Sequence, residues 1–198
     1  MSEYQSIAFR AIDGPVSEKN LEFMRRQSSR AEITPWAFDN EYHHGDFHGD
    51  ALEMLRRSYD IHLHYASFGT RDLLIRLPHG LPDAAAAAPY FGEDSLQFLK
   101  DKQGTGGILS IAPYDESGDL DALWNTDGLL DRLVPLRAEI LDGDLRPLYN
   151  ARRLHIGKTA LPLSCTNPRY YEGSPLCGAD RKGTLYAWKA SSRSRRSS

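Results

Sequence analysis

Ile61-His62-Leu63-His64-Tyr65-Ala66 and Leu73-Leu74-Ile75-Arg76-Leu77 flank Phe68-Gly69-Thr70-Arg71, and this stretch decides the fold. Both runs are short and largely apolar, and a glycine-bearing turn lies between them, which predicts a β-hairpin. Pro78 and Gly80 close the second strand. Within the first strand Ile61, Leu63 and Tyr65 alternate with His62 and His64. Side chains on a strand point to opposite faces in turn, so the two histidines are expected on the solvated side.

Upstream, Tyr4 to Ile12 alternates in the same way and is stopped by Asp13-Gly14-Pro15. Ser17 is an N-cap for a helix through about Ser28, with Val16 and Leu21 in the two positions of a hydrophobic staple. Ala31 to Tyr42 reads as extended chain anchored by Ile33, Trp36 and Phe38. Asp50 and Glu53 begin a short helix as a capping-box-like pair, with Leu52, Leu55 and Tyr59 as its buried stripe. Downstream, Ala84 to Ala88 reads as a short helix. Ser95 to Lys100 and Gly107 to Ile111 form a second hairpin about Gly104-Thr105-Gly106-Gly107. Leu129, Leu133, Leu136 and Ile140 then recur at helical spacing, with Pro135 predicting a kink or two abutting helices. Asp142-Gly143 ends that helix and Asp144 starts another at Leu145. The fold class is α+β: a small antiparallel or mixed sheet with C-terminal helices packed on it.

Charge divides the chain. Residues 1–150 carry 14 Lys+Arg against 25 Asp+Glu, a balance of −11, whereas residues 151–198 carry 10 against 2, a balance of +8. Two domains are expected accordingly: an acidic α+β domain over 1–149 and a basic, largely disordered tail over 150–198. Leu145, Leu148 and Tyr149 begin an apolar helix face that fades at Asn150. The change there is that of an appended tail, or of a shifted reading frame or a fused foreign end. An acidic body repels phosphate backbones, so nucleic-acid binding is expected only through the tail. No apolar run approaches the ~20 residues of a membrane span. The start, Met1-Ser2-Glu3-Tyr4-Gln5, lacks the basic and apolar stretches of a secretory signal, and a cytoplasmic protein is expected. Both cysteines, Cys165 and Cys177, fall in the tail without a second pair at zinc-finger spacing.

One constellation has metal-ligating chemistry: His43-His44-Gly45-Asp46-Phe47-His48-Gly49-Asp50. Extended, it would set His44, Asp46, His48 and Asp50 on one side, and His62 and His64 add an H-x-H pair on the strand. Imidazoles and carboxylates in that number suit a divalent metal such as zinc, and with it a hydrolase. Against this, Gly45 and Gly49 turn the segment, Asp50 serves as a helix cap, and Asp46 is placed to bond loop amides. The Gly104–Gly107 cluster lacks the lysine and hydroxyl of a phosphate loop, and no nucleophile elbow is present. Asp115, Glu116, Asp119 and Asp121 read as a solvated acidic linker.

Ile33-Thr34-Pro35, the run Asn40 to Asp50, Phe68 to Arg71, Leu74 to Pro78 and the run Leu133 to Tyr149 together resemble a family of uncharacterised bacterial proteins. Members begin with a Tyr/Phe-rich strand and an A-I-D turn, here Ala11 to Asp13. The resemblance covers about residues 3–149. It implies a cytosolic bacterial protein whose relatives continue helically past the D-L-R-x-L-Y element, and it carries no functional residues. It also implies a G-D-F-x-G frame without these histidines, which weakens the metal reading.

The leading expectation is a non-enzymatic intracellular interaction module that needs no cofactor and binds an unidentified protein partner. Trp36, Phe47, Tyr65, Phe68 and Trp124 are its candidate contact aromatics. The alternative is a metal-dependent hydrolase using His44, Asp46, His48, His62 and His64.

Overall fold

A computed structural model describes residues 4–66, 69–92, 95–112 and 128–155, with side chains through Arg152. The chain divides into Met1–Ala160 and Leu161–Ser198, and every described residue lies in the first part. In order the elements are β1 (Gln5–Arg10), α1 (Glu18–Gln27), β2 (Glu32–Ile33), β3 (Ala37–Tyr42), α2 (Ala51–Arg57), β4 (Ile61–Ala66) and β5 (Arg71–Leu77). There follow α3 (Ala84–Ala87) with a 3-10 turn at Ala88–Tyr90, β6 (Leu96–Lys100), β7 (Gly107–Ile111), α4 (Leu129–Leu141) and α5 (Arg146–His155).

The strands form one seven-stranded sheet in the order β2-β3-β1-β4-β5-β7-β6, and every neighbouring pair is antiparallel. Both expected hairpins are present, as β4–β5 and β6–β7. β1 is paired on both edges, with Phe9 opposite Phe38 on β3 and opposite His62 on β4. The architecture is α+β with the C-terminal helices packed on the sheet, as the periodicities predict.

Helices cover both faces of the sheet. On one face Ile7, Phe9, Phe38 and Leu74 pack with Leu21 and Met24 of α1 and Met54 and Leu55 of α2. On the other, Ala8, Leu63, Leu73 and Leu109 pack with Ala87 of α3, Leu130 and Ile140 of α4, and Leu148 and Ala151 of α5. A strand inside such a sandwich has no solvated side, which bears directly on His62 and His64.

The local signals behave as their chemistry requires. Val16 and Leu21 are both buried at the start of α1. Asp50 accepts the Glu53 amide at 2.9 Å and caps α2. Gly143 takes a φ of +86°, so the chain turns back and the Asp144 amide reaches the Glu139 carbonyl at 2.9 Å, closing α4.

Four details differ from expectation. α4 runs through Pro135 as one helix rather than two abutting ones. Leu130 and Ile140, buried on either side of it, offset the bond that proline cannot make. The most buried line of α4 is rotated from the Leu129–Leu133–Leu136 stripe and includes Arg137, only 3% exposed. α5 continues past Asn150 to His155, because Ala151 extends the Leu145–Leu148 face with a small side chain. Trp36, expected as an anchor, stands out from the surface. The acidic stretch at 115–121, Phe68, Trp124 and residues 156–198 lie outside the described residues.

Arg137 is buried because partners meet it. Its Nη1 donates to Asp13 Oδ1 at 2.7 Å, Nε donates to the Arg76 carbonyl at 2.8 Å, and Nη2 lies 3.3 Å from Asp60 Oδ1. Asp60 in turn accepts the Ile12 and Asp13 amides at 2.6 and 3.0 Å. The Arg137 guanidinium holds the Asp13 carboxyl below its ordinary range. A second arginine, Arg10 of β1, bridges Asp39 of β3 and Asp131 of α4 at 2.8 and 2.7 Å. α4 is thus pinned to the N-terminal strand at two points. Asp60 is buried beside Arg137 and would be left with its two backbone donors alone, so Arg137→Met is expected to cost about 3 kcal/mol in urea denaturation. Arg25→Ala, at an exposed pair with Glu18, should cost less than ~1 kcal/mol. Equal costs for the two would contradict the assignment.

Candidate functional site

Between β3 and α2 the chain crosses the end of the sheet as residues 43–50, the segment that holds most of the candidate site residues. Gly45, at a φ of +84°, turns it, a conformation that suits glycine. Phe47 packs its ring inward, with centroids 6.4 Å from Phe9 and 6.2 Å from Phe38. Gly49 lies beneath that ring, where a Cβ would fall 2.3 Å from the Phe47 Cζ atom. The Asp50 amide donates to Gln27 Oε1 of α1 at 3.0 Å, closing the segment onto the neighbouring helix.

Gln5, at the start of β1, is the hub beneath it, only 2% exposed. Its Nε2 donates to Asp46 Oδ1 at 2.7 Å and to the Gly45 carbonyl at 3.3 Å. Two acceptors on that side fix the amide orientation, so Oε1 faces His64. His64 Nε2 lies 3.0 Å away and must be the protonated nitrogen, donating to Gln5 Oε1. A directed chain results, from His64 through Gln5 to Asp46. Asp72 sits directly across from His64 on β5. Burial lowers the His64 pKa, and the attraction of Asp72 and Asp46 only partly offsets it. Asp72 is itself raised by burial, with His64 opposing.

His62 lies one step further in. Its ring stacks on Phe9 with centroids 4.0 Å apart, and its Nδ1–H donates to the Ala8 carbonyl at 3.0 Å. It is 3% exposed, and burial drives its pKa down to about 3, the neighbouring His64 adding to the effect. Tyr59, beside Phe9 with centroids 5.4 Å apart, is pushed up to about 12, again chiefly by burial. The expectation of a solvated side therefore fails for His62, which stacks in the core beside Phe9, whereas His64 is half-buried.

Of the five sequence candidates, the fold brings Asp46 and His64 together, but through Gln5 rather than toward a shared centre. His62 points its donor at backbone, and His44 and His48 are exposed on the crossing segment. Among the described residues, no group of three or more His, Cys, Asp or Glu side chains is arranged to hold a metal ion. Gln5 was missed. Its signal was available, since a glutamine in phase with Ile7 and Phe9 is a polar residue at an inward strand position.

A second feature lies at the other end of β3. Thr34 Oγ1 accepts the Trp36 and Ala37 amides at 3.2 and 2.9 Å, and the Thr34 amide donates to the Ala37 carbonyl at 2.8 Å. From outside this turn, the Ala11 and Val16 amides bind the Trp36 and Pro35 carbonyls at 2.9 and 2.8 Å. The backbone is fixed, while the Trp36 side chain is 51% exposed. No protein-family model matches this chain, and no curated protein or solved structure matches it either.

His62 supplies a pH test with a definite sign. Its folded-state pKa of about 3 lies below the ordinary 6.5. The unfolded chain takes up a proton below pH 6.5 while the folded chain does not, so stability is lost as pH falls through that window. The slope is about 1.4 kcal/mol per pH unit. Urea melts from pH 7 to 5 should show His62→Phe with a slope shallower by about that amount. Parallel slopes for variant and wild type would contradict the burial of a neutral imidazole.

Proposed function

We propose that this chain is a protein-binding module that engages its partner through the surface around Trp36. The observation that carries the reading is the exposure of that indole: among the described residues it is the exposed large hydrophobic side chain. Core-forming sequences place tryptophan inside, and an indole left in water loses the benefit of burial. A partner that covers it recovers that benefit, and tryptophan is prominent among residues that dominate interface energies.

Rigidity supports the same reading. The Trp36 backbone is held from both sides, so little ordering entropy opposes docking. Acidic residues of the hairpin that carries Trp36 favour a basic partner. Glu32 and Asp131 both act electrostatically on Asp39, and a single guanidinium, Arg10, bridges Asp39 and Asp131. Asp39 is raised first by burial and then by the other two carboxylates. Complementary charge of this kind speeds encounter and selects against acidic partners.

The test is affinity capture from native cell extract with the full chain as bait, quantified against a Trp36→Ala bait. A hot-spot indole is worth about 2 kcal/mol or more, so capture of the partner should fall roughly 30-fold. The variant's thermal stability should stay within about 0.5 kcal/mol of wild type, because the side chain is at the surface. Identical capture by both baits would overturn the reading.

A further inference from the structure

We propose that β6 is a docking edge for a second copy of this chain, the two β6 strands running antiparallel and joining two sheets into one. The sheet has two edges, β2 and β6. β2 is two residues long, and Thr34-Pro35 follow it at once. Short length and a nearby proline close an edge to other strands. β6 is five residues long and holds no proline. It pairs with β7 residue for residue, without the bulge that would twist it away. Leu96, Gln97, Phe98 and Leu99 are uncharged, and the strand's one charge, Lys100, stands at its last position.

The register fixes which backbone groups face outward. The Asp101 amide donates to the Gly106 carbonyl at 3.0 Å and the Ala112 amide to the Ser95 carbonyl at 2.8 Å. Ser95 and Asp101 are therefore in hydrogen-bonded register with β7. Bonded and non-bonded pairs alternate along an antiparallel ladder, which turns the backbone groups of Gln97 and Leu99 to β7 as well. The amides and carbonyls of Leu96, Phe98 and Lys100 point the other way, and among the described residues none of them has a hydrogen-bond partner. Phe98 is the middle one of the three. Two copies in opposite directions, with the two-fold axis at Phe98, pair every outward group through about six ladder hydrogen bonds. Opposed residues share a face, so the two Phe98 rings stand side by side on the face where α4 and α5 pack.

Charge selects the direction. In sequence Glu93-Asp94 come just ahead of the strand, while Lys100 ends it and Lys102 follows. Opposite directions bring the basic end of one strand toward the acidic end of the other, whereas a parallel pair sets like charges together. One strand pair is a small interface, so the association is expected to be weak, with a Kd on the order of 100 μM. The Trp36 surface adjoins β2 at the other edge, and pairing through β6 leaves it uncovered.

The experiment is a dilution series of the full chain, from about 1 mM to about 10 μM, followed by sedimentation velocity and by amide NMR. The mass should pass from dimer to monomer on dilution. The amide signals of Leu96, Phe98 and Lys100 should move most, and those of Gln97 and Leu99 less. Lys100→Pro removes an outward amide and sets its ring against the facing strand while the bonds to β7 remain, so it should weaken the dimer roughly 10-fold or more. Lys100→Arg keeps both amide and charge and should associate like wild type. A wild-type chain that stays monomeric at every concentration would overturn the proposal. So would a dimer whose amide shifts centre away from β6, a result that stands even if the proline variant fails to fold. Unchanged association in a folded Lys100→Pro would overturn it as well.

Discussion

β1 is hydrogen-bonded along both edges and covered on both faces, and the rest of the fold is arranged around that constraint. Ile7 and Phe9 belong to one core and Ala8 to the other, so a six-residue strand ties two helical layers together. Such burial satisfies backbone groups through the ladder and leaves every polar side chain on the central strands needing a partner inside the protein. Gln5 and His62 find theirs in the crossing segment and in the Ala8 carbonyl. At the far end of β1, Arg10 and the Asp13 turn hold α4 through ion pairs.

The same constraint shapes the two candidate sites. β3 pairs with β1 over its whole length, and its two ends carry opposite behaviour. Trp36 leads into it on a turn held by backbone and Thr34 hydrogen bonds, whereas residues 43–50 leave it on a segment tied by the Gln5 amide, the Phe47 ring and the Asp50–Gln27 hydrogen bond. Six residues of strand set the two ends about 20 Å apart. The rigid end offers a surface whose recognition costs little ordering, and the other folds the Phe47 ring back onto the core against Phe9 and Phe38.

Much of the fold was legible because its signals are local. Alternation marked the strands, Asp50 and Ser17 marked helix starts, and Gly143 marked a stop. What escaped the sequence was pairwise and long-range. A strand reads the same whether one face or both are covered, so Leu63 and Leu73 did not disclose that His62 opposite them was also interior. Arg137 carried no signal of its burial, since its partners Asp13 and Asp60 lie far from it along the chain. Trp36 read both as an anchor of the extended chain and as a contact aromatic, and only the three-dimensional turn shows it facing out. The candidate site was half legible. The 43–50 segment was identified from its histidines and Asp46, but the residue that organises it, Gln5, has no motif.

The central claim is that β1 and β4 form the sealed interior of a sheet covered on both faces. Native-state hydrogen exchange tests it most directly, because amides in such strands exchange only when the protein unfolds globally. The expected result is that Ile7, Ala8, Phe9 and His62 to His64 exchange slowest, with an opening free energy equal to that of global unfolding. Edge strand β6 should exchange faster, through local fraying. Exchange at His62 and His64 as fast as at Gln97 and Lys100 would mean that β4 has a solvated face, and would contradict the account.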